Sequence, residues 1–289
     1  MKVWIVTPSF NQVDWLKRAV ASVADQAGGN LQVHHHVQDG ASTDGTAEWL
    51  KVYAEQQKLL ASKAYSFSYE SQSDEGMYHA INQGWNKTPQ EYDFIAYINC
   101  DEQYLPGGLE SIAQVFSQNE DAEVVLAGNI VVDGEGQYRC HRRAVHPYLW
   151  SARLWTASSA CSTFMRRSVF FDHHGGFDTT WSIVGDMVWY VNLLEKKLTI
   201  HISDAMTSVF FDDGNNLATT PRGIKELQVY RKQCLGWTAW FTGFARQLNT
   251  FRRILADMYL DKPQSYSVYR SGKQREVIEI SQPTNLWKR

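Results

Sequence analysis

Short apolar runs alternate with stretches of helical period through the first half of the chain, and few folds accept that alternation. Val3–Thr7, Leu31–Gln38, Tyr65–Tyr69, Phe94–Ile98 and Val124–Gly128 read as strands. Between them, Asp14 can cap a helix whose apolar face uses Trp15, Ala19, Val20 and Val23. The polar turn Asp39–Thr46 feeds a second helix through Tyr53 to Leu60, and a third is expected from Met77 to Trp85. Pro106 begins a fourth, where its missing N–H costs nothing. Strand, helix and strand in succession need a crossover, which sets the strands parallel and lays the helices on the sheet. The expected class is α/β, with a Rossmann-like, mostly parallel sheet and helices on both faces.

The second half is less regular. Gln137–Arg142, Ser162–Met165, Leu198–Ile202 and Thr207–Phe211 read as strands, and Val184–Leu194 as an amphipathic helix. Beyond Pro221 long helices are expected up to about Leu260. A hairpin pattern, Ser267–Arg270 and Glu276–Ile280, follows around Ser271-Gly272-Lys273. These changes divide the chain into a domain at 1–214, with halves at 1–130 and 131–214, and a C-terminal helical extension at 215–289 that ends in a candidate β-hairpin.

Composition narrows the function classes. With 44% apolar and 20% charged residues among 289, the chain is a globular one of enzyme size. Twenty-eight basic against thirty-one acidic side chains leave a formal charge of −3, so no global positive field recruits nucleic acid. No apolar run approaches the roughly 18–20 residues of a membrane span, and the apolar start Met1–Val6 is too short for a signal-peptide core. The four cysteines are far apart and form no CxxC pair, which suits a reduced cytoplasmic chain better than a disulfide framework or a zinc site.

In an open parallel sheet, ligands bind outside the carboxyl ends of the strands. Those ends read Pro8-Ser9-Phe10-Asn11, Asp39, Ser71-Gln72-Ser73-Asp74 and Asn99-Cys100-Asp101-Glu102. Any one of these residues could simply cap the helix that follows. Together they put amides or carboxylates at four successive ends. Such a row repels phosphate unless a cation sits between, and clustered oxygens suit Mg²⁺ or Mn²⁺ bridging carboxylate and diphosphate.

The same segments, in order, resemble family 2 glycosyltransferases. The resemblance rests on Thr7-Pro8-Ser9-Phe10-Asn11-Gln12, Asp39-Gly40-Ala41-Ser42-Thr43-Asp44-Gly45-Thr46, Ser73 to Gly84, and Asn99 to Gly107. It continues through Gly175-Gly176-Phe177-Asp178 and Gly185-Asp186-Met187 and covers about residues 3 to 212. It implies a GT-A fold, a nucleotide-diphosphate sugar donor, a divalent cation and transfer with inversion. Residues 1–130 would form the nucleotide-sugar-binding half and 131–214 the acceptor side.

Under that resemblance Thr7, Pro8, Phe10, Asn11 and Asp39 cradle the nucleobase. The Asp74-Glu75-Gly76 turn brings backbone close to the donor, with Gly76 avoiding a steric conflict, and Asn82 reaches ribose or diphosphate. Asp44 is a weaker candidate, since beside a helix start it more often caps. Asp101 and Glu102 fall on the metal-binding motif, one holding ribose and one the cation. Asp186 is the expected base that takes the proton from the acceptor hydroxyl. The chain departs from the family pattern at Asn99, Gln72, His79 and Gly185, where acidic residues are more usual, and at Glu102, which replaces the more usual Asp.

Other signals lead elsewhere. His34-His35-His36 lies within a strand pattern, so its side chains alternate between faces and do not gather around a metal. Cys140-His141 and His173-His174 lack the spaced partners of a zinc site. Gln233-Cys234-Leu235-Gly236-Trp237 resembles the acceptor motif of processive polysaccharide synthases, but Gly236 stands in place of its Arg, and no transmembrane helix accompanies it. Neither a GxGxxG nor a Walker sequence is present. Trp150, Trp155, Trp181 and Trp189 are candidates for stacking on an acceptor sugar, with core packing as the alternative. Trp237, Trp240, Phe241, Phe244, Leu248, Phe251 and Leu255 form an apolar helical stripe flanked by Arg246, Arg252 and Arg253. That stripe, within 237–259, has three candidate destinations: the catalytic domain, a homodimer interface, or a peripheral contact with the inner face of a membrane.

The expectation is a cytoplasmic, Mn²⁺- or Mg²⁺-dependent inverting glycosyltransferase. It would act on a nucleotide-sugar donor and a glycan or lipid-linked acceptor in surface polysaccharide assembly, with no nucleic acid partner. The alternative from another class is a non-catalytic nucleotide-sugar-binding protein. A sugar nucleotidyltransferase would need a Gly-rich basic loop after the first strand, which Pro8–Gln12 is not.

Overall fold

The computed structural model describes residues 1–156, 158–214, 217–236, 242–255, 263–270 and 274–285. Its first half runs β1 (Lys2–Ser9), α1 (Val13–Ala24), β2 (Gln32–Asp39), α2 (Thr46–Leu60), β3 (Tyr65–Ser71), α3 (Met77–Asn86) and β4 (Phe94–Tyr97). These strands lie in the order β3-β2-β1-β4, all parallel. The register sets Ser9 opposite Asp39 and Asp39 opposite Ser71, so three strands end level. β1 is buried along nearly its whole length, as a central strand covered on both faces must be. Val3 and Ile5 enter one core with Leu109, Ile112 and Phe116, while Trp4 and Val6 enter another with Ile81, Trp85 and Trp189.

The sheet then widens through β5 (Glu102–Tyr104), α4 (Gly108–Gln118), β6 (Val124–Asp133), β7 (Tyr138–Arg142), α5 (Leu149–Ala152), β8 (Thr163–Arg166), α6 (Arg167–Phe171), α7 (Gly185–Glu195) and β9 (Ile200–Asp212). β8 is antiparallel to both β4 and β6, and β9 is parallel to β6. Two reversals restore direction, so β6 and β9 point the same way as β1. Their ends, Asp133 opposite Asp212, therefore face the same rim as Ser9 and Asp39.

Several expectations change in detail. Asp14 does not cap α1; it sits in the first turn and pairs with Lys17 at 3.1 Å, while Asp44 Oδ2 takes the Val13 N–H at 2.9 Å. Pro106 does not begin α4, which starts at Gly108, because Glu102–Tyr104 first pairs with β9 as a short strand. The two strands expected between Leu198 and Phe211 are one 13-residue strand whose register against β6 shifts between Leu126 and Asn129. α7 is not amphipathic: Met187, Val188, Trp189, Tyr190, Val191 and Leu193 are all buried.

At the C-terminus come α8 (Pro221–Leu235), α9 (Thr242–Leu255), β10 (Ser265–Val268) and β11 (Glu276–Glu279). The hairpin β10–β11 is antiparallel as expected, and its turn at Ser271–Lys273 lies outside the described residues. It is fastened to the domain by Gln103, whose side chain exchanges two hydrogen bonds with the Tyr269 backbone at 2.8 and 2.7 Å. α8 docks through Tyr230 on Val184, Met187 and Val188. Trp237, Trp240 and Phe241 of the expected stripe also lie outside the described residues.

Candidate active site

On the β1–β2–β3 side of the rim every exposed loop is held by a carboxylate or an amide. Asn11 adopts the left-handed conformation at φ 53°, which Asn tolerates better than most residues. In that pose its N–H donates to Ser42 Oγ at 2.7 Å and its Oδ1 accepts from the Thr43 N–H at 2.8 Å. Asp39, fully buried, accepts from Ser42 Oγ at 2.5 Å, the Ser42 N–H at 3.1 Å and Ser71 Oγ at 2.6 Å. One carboxylate thus locks three loops together.

Asp44 does the same between helices, accepting from Val13 N–H, Thr46 N–H and Thr46 Oγ1. Burial works against its charge, but the bonds from Thr46 and Val13 outweigh it and hold its carboxyl below the usual range. Its capping reading is the one the geometry supports. Asp74 accepts from the Gly76 N–H at 2.8 Å and lies against Gly40, where an added Cβ would meet Asp74 Oδ2 at 3.0 Å and Phe10 Cδ2 at 3.3 Å. Phe10 is 63% exposed, so an apolar ring stands open beside these loops.

On the β4–β9 side the carboxylates have fewer donors and more of one another. Cys100 connects the two sides. Its Sγ–H donates to Pro8 O at 3.2 Å, burial raises its thiol pKa, and the charges of Asp101, Asp39 and Asp44 raise it further. Burial also raises the Asp101 carboxyl, and Asp213, just past the end of β9, adds to the effect. Glu102 is raised by burial and then by Asp101, with a smaller contribution from Asp186. Asp186, in the first turn of α7, is pushed up to about 6 by burial, although its Oδ1 accepts the Met187 N–H at 2.7 Å.

Two residues that sequence reasoning missed complete this side. Tyr78 O–H donates to Ile183 O and accepts the Asp186 N–H, both at 3.1 Å, so it fixes the start of α7. A Cβ on Gly185 would lie 2.3 Å from Tyr78 Cε2, and that is why glycine stands where the family more often has Glu. Asp213 is the second. Its signal was the acid run that follows a strand, but its rim position depends on β9 turning parallel to β1.

Three expected site residues face elsewhere. Thr7 is fully buried and its Oγ1 is bonded to His35 Nε2 at 2.9 Å, so its hydroxyl belongs to the sheet interior. Asn82 spends its amide on the Phe177 backbone, donating to the carbonyl at 2.8 Å and accepting the N–H at 2.9 Å; it joins α3 to the loop before α7. Glu102 does not share an outlook with Asp101, because adjacent residues at a strand point to opposite sides. Its Oε2 accepts the Asn99 N–H at 2.8 Å and its carboxyl meets Cys161 within the core. Pro8 is buried, and Gly76 has a φ of 116°, which favours glycine, while an added Cβ there meets no protein atom within 4 Å.

Among the described residues no group of three or more His, Cys, Asp or Glu forms a ready metal cage. The donor set nevertheless fits a divalent cation: Asp101 and Asp213 offer hard carboxylate oxygens, and the charge of Asp213 raises the cost of ionising Asp101. Mg²⁺-type sites commonly use one or two carboxylates and take the rest from phosphate and water. The histidine run is structural. His34 stacks on Trp4 at 3.9 Å and is pushed down to about 3 by burial and His36, so it stays neutral. Of the tryptophans, Trp189 is buried with its Nε1–H on Gly175 O, and Trp181 packs edge-on against Tyr230.

The model of a protein family described as glycosyl transferase family 2 matches residues 4–182. No curated protein matches the sequence significantly. Among solved structures, TarS of S. aureus, residues 1–349 in complex with UDP-GlcNAc, is similar at 15% identity with a TM-score of 0.58, over 80% of this chain and 65% of that one. A longer S. aureus TarS structure gives 0.56 at 15% identity, over 78% of this chain and 38% of that one. The mannosyltransferase PcManGT from Pyrobaculum calidifontis, in complex with GDP-Man and Mn²⁺, gives 0.51 at 16% identity, over 80% and 61%. The chain spans under two thirds of each of these proteins. The shared architecture is the GT-A type, here a parallel sheet of four strands continued by a mixed one.

Proposed function

The chain belongs to glycosyl transferase family 2, and from that premise we propose that it moves one sugar, with inversion, from a nucleotide-diphosphate donor to a hydroxyl of a glycan or lipid-linked acceptor. The setting proposed is cytoplasmic assembly of a surface polysaccharide. The observation that carries the reading is the half-buried carboxyl of Asp186, raised to about 6 on the rim that also holds Asp101. A base with that pKa is ionised at neutral pH yet keeps more proton affinity than an ordinary aspartate.

In the proposed reaction the acceptor O–H gives its proton to Asp186 as its oxygen bonds to the anomeric carbon. The bond from that carbon to the diphosphate breaks, and the nucleoside diphosphate leaves on the opposite face. Phe10, Asn11, Asp39 and the Asp74–Gly76 turn would hold the nucleoside, with Pro8 behind them. Asp101, with Asp213 beside it, would hold a Mn²⁺ or Mg²⁺ ion, whose chemistry is to neutralise charge on the departing diphosphate. Tyr78 keeps Asp186 aimed. UDP-GlcNAc and GDP-Man in the similar structures make uridine and guanosine donors the first to try.

Thermal shifts with a panel of nucleotide sugars, with and without Mn²⁺, identify the donor, because a ligand that binds the folded form raises its melting temperature. Asp186→Asn should then keep the donor's shift and lose transfer. Near-normal turnover in that variant would remove Asp186 from the mechanism. A donor that binds without transfer or hydrolysis in the parent protein would favour a non-catalytic binding role.

A further inference from the structure

The faces of α9 are reversed relative to a packed surface helix. Its polar side is the docked one: Asn249 is buried, and Arg252 bonds both to His146 O and, at 2.8 Å, to Asn249 Oδ1. The Arg252 guanidinium also stacks over Tyr148 at 5.1 Å. On the other side Phe244, Leu248, Phe251 and Leu255 recur at helical spacing and are between 46% and 69% exposed. An amphipathic helix ordinarily turns such a stripe to the core. Here the core side is polar and the stripe faces out, so the first of its three expected destinations is excluded for residues 242–255. An exposed, contiguous apolar face of this kind marks a contact site.

Charge selects the occupant. α9 carries Arg246, Arg252 and Arg253 and no acidic residue, while α8 carries Arg222, Lys225, Arg231 and Lys232 against Glu226 alone. In a chain of net charge −3 both helices are thus basic, and Arg222, Lys225, Lys232 and Arg246 are exposed on them. Pairing two copies through α9 would bring two helices together that carry Arg and no acidic residue. An anionic lipid surface accepts the apolar stripe and the positive charge at once. Among the described residues no helix is long and apolar enough to cross a membrane, so the contact lies in the interfacial plane.

We propose that α9 lies on the surface of an anionic bilayer, with Phe244, Leu248, Phe251 and Leu255 at the boundary between headgroups and acyl chains. This goes beyond the transferase reading and does not rest on it. Docking of α9 against His146 and Tyr148 would hold that part of the domain next to the lipid.

Vesicle flotation tests it with the full chain. The protein should float with phosphatidylcholine vesicles that contain phosphatidylglycerol and about tenfold less with phosphatidylcholine alone, and salt should weaken the binding. Leu248→Ser with Phe251→Ser should reduce flotation about tenfold without lowering the melting temperature, since both side chains are exposed. Arg246→Glu, also exposed, should weaken only the anionic-vesicle binding. The proposal is overturned by a parent protein that stays unbound, by equal flotation with both vesicle types, or by a double variant that floats like the parent. It is equally overturned if light scattering finds a dimer that the double variant dissolves.

Discussion

The two sides of the rim handle their carboxylates in opposite ways. Asp39 and Asp44 are saturated with serine, threonine and backbone donors, and each fastens loops or helix starts to one another. Asp101, Glu102 and Asp186 have few donors, and burial raises the cost of ionising each; Asp213 adds to that cost at Asp101, and Asp101 and Asp186 add to it at Glu102. The first arrangement is complete in itself. The second is costly unless something positive or protic arrives, and sites that keep such costs are where chemistry is done. Stability and reactivity are thus divided along one sheet edge.

The largest effect that would break this division is on turnover. Asp186→Asn should lower kcat about a thousandfold, within the range of a lost general base, measured beside unchanged donor binding. Its stability should move the other way. Burial raises the folded-state pKa of Asp186 above the ordinary 3.8 to about 6, so the folded chain binds the extra proton between those values. That contribution is fully present below pH 4, is lost as pH rises to about 6, and leaves a cost of roughly 3 kcal/mol above it. At pH 7.5 the Asn variant should therefore melt higher than the parent, and the two should converge near pH 4. In the parent, kcat/KM should fall on the acid side with an apparent pKa near 6 if Asp186 is the base.

Asp101→Asn comes next, with about a hundredfold loss of cation-dependent turnover in a metal titration. Glu102→Gln should cost much less and leave the metal dependence intact, since Glu102 faces the Asn99 N–H and Cys161. Equal losses at both positions would erase the distinction between them. On the saturated side, Asp39→Ala should lower stability by about 1–3 kcal/mol in a denaturant melt, because Ser42 and Ser71 lose their acceptor together. Gly185→Ala tests the contact that fixes the start of α7. The Tyr78 ring occupies the space of its side chain, so a loss of about 1–3 kcal/mol is expected.

What could be read without coordinates was whatever the chain writes locally. The strands of the parallel half and the loops after them were legible, because apolar runs and turn residues sit beside one another in sequence. Asp186 was legible only by resemblance to a family. The direction of Glu102 was not legible, because it is set by a three-residue strand that pairs with β9, more than a hundred residues on. The bonds of Asn82 were not legible either, because its partner, Phe177, is 95 residues away. Tyr78 and Asp213 matter only after α7 and β9 have docked, and no local pattern announces that. The stripe on α9 was plain in the sequence, but which way it faces was not.

The central claim is that one rim carries both a donor-binding side and a cation-holding side. Crystals grown with Mn²⁺ and whichever nucleoside diphosphate stabilises the protein would test it through the anomalous signal of manganese. The account predicts one peak on the Asp101 carboxylate, with Asp213 beside it, the diphosphate across it and the base next to Phe10 and Asn11. A peak on Glu102, or a nucleotide bound away from the ends of β1, β2 and β4, would contradict it.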